Sequence, residues 1–420
     1  MILAHGNLYE DRELVPLREG LAEACVRTMA GPPLESGVVV EACGELARRV
    51  ERGDYDRLLA PLLTGLAMDP GQFQAAVGLF RRESLLYKLE TELGPELVPL
   101  RRPEGGPIRR VRYPLGTLLH IAAGNVDGLP AYSVAEGLLA GNVNILKLPS
   151  MDQGASILLL KELTDLEPRL RDYVYVFDVP STDLESLTVF ARAADAVVVW
   201  GGDEAVRAAR RLADPDTQVI SWGHKLSFAY AVPDPPDRDL EALARHVCLT
   251  RQLLCSSCQG IFVDTTDMGA VEAVGERFFA ALQAENRRHP PADLGLRARA
   301  ALQVYSMELE ETGPRALRSG GVSVVIAPDS RLELSPLAGN CWVKPLPRER
   351  IPAALGGKRG YLQTAGLLCP PEERAALGDL LARAGVVRVT EPGEMSRTVP
   401  GEAHDGTYPL RAYSRVVELV

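Results

Sequence analysis

Three cysteines crowd one stretch of the chain: Cys248, then Cys255 and Cys258 within Thr250-Arg251-Gln252-Leu253-Leu254-Cys255-Ser256-Ser257-Cys258-Gln259. A Cys-x-x-Cys pair suits a redox dithiol or half of a zinc site. Zinc would need two further ligands; His246 and Cys248 are the near ones, and there is no second Cys-x-x-Cys. A thioredoxin-type dithiol belongs between a strand and a helix near the start of a small domain, not after a helix at mid-chain. Inert buried thiols are a third reading. The fourth is a single nucleophile at Cys255, with small hydroxyl residues and loop amides beside it to stabilise a thiolate and an oxyanion. The cluster alone does not choose.

Three further motifs carry chemistry. His120-Ile121-Ala122-Ala123-Gly124-Asn125 follows a strand pattern, and a strand-end Asn amide can donate to a developing oxyanion. Gly141-Asn142-Val143-Asn144-Ile145-Leu146-Lys147-Leu148-Pro149-Ser150 puts Lys147 at the end of the next strand, where it would suit a ribose hydroxyl or a phosphate. A solvated strand-end lysine is the plain alternative. Trp200-Gly201-Gly202-Asp203-Glu204 runs from a strand through a glycine turn into a helix, a possible phosphate cradle. No Gly-x-Gly-x-x-Gly occurs, so a dinucleotide would bind in a non-standard manner. His120, His224 and His404 invite acid–base roles, although a lone histidine is more often a hydrogen-bonded structural residue. Trp200 and Trp222 read as packing.

The elements that must position these residues change character along the chain. Residues 1–107 read as helical, ending in a Pro/Gly/Arg stretch from Arg101 to Pro107. From Arg109, short apolar runs alternate with helical segments. Strands are expected at Thr117–Ala122, Val143–Leu148, Tyr173–Phe177, Ala196–Trp200 and Gln218–Trp222. That alternation is the signature of a parallel, doubly wound sheet. A second α/β segment starts near 226 with a helix over Asp239–Cys248. The C-terminal stretch holds a helix, Glu372–Ala384, a strand, Val386–Val389, and a polar tail. The division expected is 1–107, packed on a cofactor domain of 108–225, then a cysteine domain of 226–370 and a C-terminal segment of 371–420.

Four hundred and twenty residues at 46% apolar and 24% charged fit a globular chain of about two or three domains. A net charge of −10 argues against coating nucleic acid or anionic membrane, and favours a small partner. Six of the 46 basic residues are lysine: Lys88, Lys147, Lys161, Lys225, Lys344 and Lys358. Of these, Lys88, Lys161 and Lys358 read as ordinary surface. No signal peptide and no membrane span are expected. Seven unevenly spaced cysteines argue against a secreted disulfide framework and make a reducing cytoplasm the default.

In order, these motifs resemble the aldehyde dehydrogenase superfamily, in which a strand-end Asn, a Gly-Asn…Lys, a glycine turn, a Gly-x-Lys stretch and a cysteine nucleophile succeed one another. Here the Gly-x-Lys stretch is Gly223-His224-Lys225. More narrowly, His120 to Asn125, Trp200-Gly201-Gly202, Cys255-Ser256-Ser257 with Gln259, and His404-Asp405-Gly406 are similar to the fatty-acyl reductases of bacterial bioluminescence. The likeness covers roughly 108 to 410. It implies an aldehyde-dehydrogenase-like α/β fold of two Rossmann-type domains, cofactor and catalytic, with a helical N-terminal region.

The resemblance also implies roles. Cys255 would attack an acyl thioester, on CoA or a carrier, with Asn125 holding the oxyanion. Lys147, Ser150, Gly201, Gly202 and Glu333 would serve a nicotinamide cofactor, and no metal is implied. Aldehyde-oxidising members carry a glutamate base where this chain has Ser221, which leaves a thioacyl-enzyme for hydride rather than water. NAD-preferring members often carry a glutamate where this chain has Ser150, which makes NADPH the expected cofactor and leaves NADH possible. Cys258 stands where the bioluminescence enzymes have proline. His404-Asp405-Gly406 would form a turn over the active-site mouth. An acyl-transferring partner enzyme and a homo-oligomer are family expectations. The alternatives are the oxidative, CoA-acylating direction and, more distantly, a zinc-stabilised binding protein.

Overall fold

The computed structural model describes residues 1–63, 76–94, 108–122, 128–150, 152–290, 294–309 and 315–419. Asn125 and the Arg101–Pro107 stretch lie outside the described residues. The chain divides into two compact units, Met1–Gly223 with Thr398–Val420, and His224–Arg397.

The first unit holds β1 (Ile2–Ala4), β2 (Asn7–Tyr9), β3 (Arg109–Pro114), β4 (Thr117–Ile121), β5 (Val143–Lys147), β6 (Val174–Phe177), β7 (Ala196–Trp200) and β8 (Gln218–Trp222). All but β3 form one sheet in the order β2-β1-β6-β5-β4-β7-β8. β4 to β8 run parallel. Helices at Leu129–Leu139, Ala155–Leu166, Leu184–Arg192 and Asp203–Leu212 make the crossovers. Covered on both faces, the strands are continuous apolar runs such as Ala196-Val197-Val198-Val199, every residue buried. The order reverses at β4, with β5 on one side and β7 on the other. Ligands bind at the carboxyl ends of strands beside such a reversal.

β1 and β2 depart from the helical N-terminus expected. Ile2-Leu3-Ala4 is buried and pairs antiparallel with β6. A three-residue strand is too short to show any period, so patterning missed it.

The second unit holds β9 (Leu226–Ala231), β10 (Cys258–Val263), β11 (Arg315–Ser319), β12 (Val322–Ile326), β13 (Asn340–Pro345), β14 (Leu362–Leu368) and β15 (Arg388–Thr390). Their order is β11-β12-β13-β10-β9-β14-β15, and only β11 pairs antiparallel. The helix Asp237–Thr250 leads into the loop that carries Cys255, and Met268–Arg288 covers the sheet beside it. Both β10 and β14 slip register against β9 near Ser227.

The tail is not merely polar. β16 (Ser414–Leu419) pairs antiparallel with β3 over six residues. Leu410 and Tyr413 are buried in the first unit, and Asn142 Nδ2 donates to the Tyr413 carbonyl at 3.0 Å. The stretch 371–420 is therefore shared: β15 completes the second sheet and β16 returns to the first unit. Among the described residues no helix is long and apolar enough to cross a membrane.

Lys88 corrects an expectation. It is 4% exposed and pairs with Glu92 at 2.5 Å and Glu136 at 2.9 Å, both themselves buried. The helix Arg82–Leu93 turns this side chain inward, where lysine periodicity reads as surface only if the buried carboxylates are overlooked.

Candidate active site

Cys255 lies in the loop between the helix Asp237–Thr250 and β10, at the amino edge of the second sheet. It is the one exposed cysteine; the other six are buried, and all seven are free thiols. Ser227 Oγ on β9 donates to the Cys255 carbonyl at 2.8 Å, and Gln363 Nε2 on β14 lies 3.2 Å from Cys255 Sγ. Ser256 Oγ meets Ser396 Oγ at 2.8 Å, and Ser257 Oγ accepts from the Leu254 amide at 3.1 Å. These side-chain contacts fix a loop that sheet hydrogen bonds do not reach.

Two glutamines anchor the loop from below. Gln252, at φ +63°, is buried and donates through Nε2 to the Cys258 carbonyl, Ser335 Oγ and the Asn340 carbonyl at 3.0, 2.9 and 3.2 Å. Its Oε1 accepts from the Gly339 amide at 3.0 Å. Gln259 Oε1 accepts from both Ser335 N and Ser335 Oγ, at 3.1 and 2.9 Å. Through Ser335, the loop that carries Glu333 is tied to the loop that carries Cys255. Glu333 forms an ion pair with Lys344, and Lys344 Nζ also donates to Asp329 Oδ1 at 2.9 Å and the Arg331 carbonyl at 3.1 Å. Lys344 is only 1% exposed, so Glu333 is positioned by a buried ammonium. Gly260 on β10 is obligatory for another reason: a Cβ there would overlap the Trp342 ring and carbonyl.

The neighbouring thiols are inert. Burial pushes the Cys248 and Cys258 thiols up to about 12, and Cys341 well above the usual thiol range. Cys258 Sγ donates to the Gly260 carbonyl at 3.2 Å, and the Cys258 amide donates to His246 Nε2 at 3.3 Å. His246 is thereby committed, and burial lowers it to about 4, so the ring is neutral. Among the described residues no three His, Cys, Asp or Glu side chains are grouped to hold a metal ion.

In the first unit, Lys147 ends β5, and Ser150, Gly201 and Gly202 stand just past the carboxyl ends of β5 and β7, the two strands that flank β4. Lys147 is 4% exposed and donates to Ser181 Oγ at 3.0 Å. Burial lowers its pKa, partly countered by Asp178. Ser150 is exposed on the turn after β5. Gly201, at φ +156°, turns the chain into the helix Asp203–Leu212. The phosphate cradle imagined there is weakened: the Gly201 amide is spent on the Trp222 carbonyl at 3.2 Å, and Asp203 and Glu204 already occupy the first helical turn. What the glycines offer is backbone a ligand can approach.

Trp200 and Trp222, ending β7 and β8, lie 5.5 Å apart, and the His404 ring sits 5.0 and 5.2 Å from them. Asp405 beside it takes φ +49°. His120 is fully buried between Ser133 Oγ at 2.8 Å and Asn144 Oδ1 at 3.0 Å, and burial lowers it to about 4. A neutral, enclosed imidazole is structural rather than an acid–base group. Ser221 is exposed on β8. Sequence reasoning missed Ser227, Gln252 and Gln363; for Ser227 and Gln363 the signal available was a polar residue inside a run that otherwise reads as a buried strand, and for Gln252, in the turn after the helix, there was none.

The family model for acyl-CoA reductase (LuxC) matches residues 39–416. The chain belongs to the acyl-CoA reductase (LuxC) family. It is similar to the long-chain acyl-protein thioester reductase of Aliivibrio fischeri, 25% identical over 317 residues, covering 72% of this chain and 64% of that one. The corresponding reductase of Photorhabdus luminescens is 28% identical over 309 residues, covering 71% and 62%. The chain thus spans under two thirds of the length of these relatives. Among solved structures, lactaldehyde dehydrogenase from Escherichia coli superposes with a TM-score of 0.73 at 16% identity over 97% of this chain and 91% of that one. A NAD-dependent benzaldehyde dehydrogenase from Corynebacterium glutamicum gives 0.72 at 13% identity over 98% and 91%. This LuxC-family chain therefore has the aldehyde dehydrogenase fold.

Proposed function

We propose that the protein reduces an acyl thioester, on CoA or a carrier protein, to the aldehyde through a thioacyl-enzyme on Cys255. The observation that carries this is a single exposed cysteine, held by Ser227 and Gln363 at a sheet edge while every other thiol is buried. The Cys255 sulfur adds to the thioester carbonyl, the tetrahedral intermediate collapses, and the donor thiolate leaves. Asn125 is proposed as an oxyanion donor. An exposed reactive thiol of this kind calls for a reducing compartment, in keeping with a cytoplasmic enzyme.

A nicotinamide dinucleotide fits the residues at the carboxyl edge of the first sheet. Among the described residues the buried Lys147 ammonium donates to Ser181 Oγ and keeps further N–H groups for a ribose hydroxyl, and the Gly201-Gly202 turn leaves backbone open to approach. When bound, the cofactor supplies a hydride that converts the thioester to aldehyde. Lys147, Ser150, Gly201, Gly202 and Glu333 are proposed to hold it, with Lys344 orienting the Glu333 carboxylate. Ser221 in place of a base keeps water from being activated against the thioacyl group. NADPH is the favoured form, because a serine at 150 places no negative charge against a 2′-phosphate.

Two measurements test this. Incubation with a panel of acyl-CoAs and acyl carriers, without cofactor, should leave one acyl group on Cys255 by peptide mass spectrometry, and added NADPH should release it as aldehyde. Acylation at another residue, or none with any thioester, would overturn the reading. Ser150→Glu should turn cofactor preference toward NADH, with kcat/KM for NADPH falling at least about tenfold relative to NADH, as one like-charge contact predicts. An unchanged ratio would remove Ser150 from the cofactor site.

A further inference from the structure

We propose that Gln363 is the residue that sustains the Cys255 thiolate, and that two β-bulges around Ser227 aim it. The inference rests on the reading of Cys255 as nucleophile and adds a group that touches the reacting sulfur. Gln363 Nε2 is 3.2 Å from Sγ, on a side chain that is only 6% exposed. A thiol that ionises gives its proton to water and leaves a sulfur that accepts hydrogen bonds. An amide N–H buried at that distance lowers the cost of the negative charge.

Its aim comes from the sheet. Between Leu226 and Phe228, β9 advances two residues while β14 advances three, from Leu362 to Ala365. On the other side β9 advances from Ser227 to Ala229 while β10 goes from Cys258 to Ile261. Each neighbour of β9 therefore carries one extra residue at the level of Ser227, and bulges of this kind re-aim side chains beside functional sites. On β14 the extra residue falls at Gln363-Thr364. The Thr364 amide displaced from the ladder donates instead to Ser227 Oγ at 3.1 Å, while the same hydroxyl donates to the Cys255 carbonyl at 2.8 Å. One buried serine thus ties the bulged strand to the nucleophile's backbone, and Gln363 reaches its sulfur.

His224, just before β9, and Tyr361, just before β14, are the titratable rings at this level, 6.4 Å apart, and the charged groups of the surrounding elements make hydrogen bonds of their own. Arg251 donates to the His289 and Pro290 carbonyls, Lys225 to Gly360, Arg359 to Arg383 and Arg388 to Arg397, and His246 faces the Cys258 amide. A neutral amide also has a chemical advantage over a cation. It steadies the thiolate without pairing so tightly that nucleophilicity is lost, and it incurs no unpaired charge once the sulfur is acylated.

The test is alkylation of Cys255 by iodoacetamide across pH in the full-length protein, with the modified peptide identified by mass spectrometry. Gln363→Leu keeps the volume and removes the donor. Its alkylation midpoint should move up, so that about tenfold less thiolate reacts at a fixed pH below the midpoint, the size expected for one hydrogen bond to a charged group. Gln363→Glu should lose more, since a carboxylate faces the sulfur. The rate of acylation by acyl-CoA should fall in parallel, with dinucleotide affinity unchanged. A Leu variant that alkylates like wild type at every pH overturns the proposal, as does a Glu variant that reacts faster than the Leu variant. Should the Leu variant not fold, Gln363→Asn, which retracts the amide by one methylene, carries the same expectation. If wild-type Cys255 alkylates but accepts no acyl group from any thioester, the functional reading fails, and the alkylation series still judges Gln363.

Discussion

Cys255→Ser is expected to abolish acyl-enzyme formation and to lower aldehyde production on the order of 10⁴-fold, while dinucleotide binding persists. The loss is large because a serine hydroxyl needs a base to activate it where a thiol does not. His246 is neutral and turned to the Cys258 amide. Gln363 can steady an anion but cannot remove a proton, and a serine hydroxyl ionises far less readily than a thiol. The other six cysteines cannot substitute, since all are buried. Intact-mass measurement after incubation with an acyl-CoA checks the first part, and quenching of tryptophan emission by NADPH checks the second. A serine variant with wild-type turnover would place the nucleophile elsewhere.

The second large effect is on stability. Lys88→Met is expected to destabilise the protein by about 3–5 kcal/mol at neutral pH, the range found when one partner of a buried ion pair is removed. Lys88 bridges two buried carboxylates, Glu92 and Glu136. Burial alone would lower its pKa, but Glu136, Tyr132 and Glu92 hold it well above the usual lysine range. Glu136 is held above the ordinary carboxylate range, first by burial, with Lys88 pulling it down and Glu92 pushing it up. Without Lys88 that carboxyl must rise further. A carboxyl whose folded-state pKa is raised favours the folded state below that pKa and loses this advantage as pH climbs through it. The variant's deficit against wild type should therefore shrink as pH falls toward the carboxylate range. Urea melts at about pH 8 and about pH 5 would show it. Equal stabilities, or a deficit independent of pH, would mean that the lysine contributes no more than packing.

The sequence was most informative where short-range pattern and tertiary role coincide. Val197-Val198-Val199 could be read as a strand because it is covered on both faces, and strand-end residues such as Lys147 and Gly201 follow once strands are placed. β1 was invisible because three residues carry no period. Lys88 was misjudged because its partners come from Glu92, four residues on, and Glu136, on another helix. Cys255 stood out by its neighbours, but the feature that separates it from Cys248 and Cys258 is exposure, which spacing does not encode. Gln363 was hidden for a subtler reason. Its position depends on one extra residue in β14 relative to β9, and a register shift exists only between strands.

The first unit is interrupted: the chain leaves it at Gly223 and rejoins it at Thr398. During synthesis the second unit is complete, and free to fold, before β16 and Tyr413 emerge to pair with β3 and accept the Asn142 hydrogen bond. Until then β3 presents an unpaired edge and the pocket for Tyr413 stands open. The interrupted unit therefore stays incomplete until its returning segment is made, while the contiguous unit that carries Cys255 is already whole.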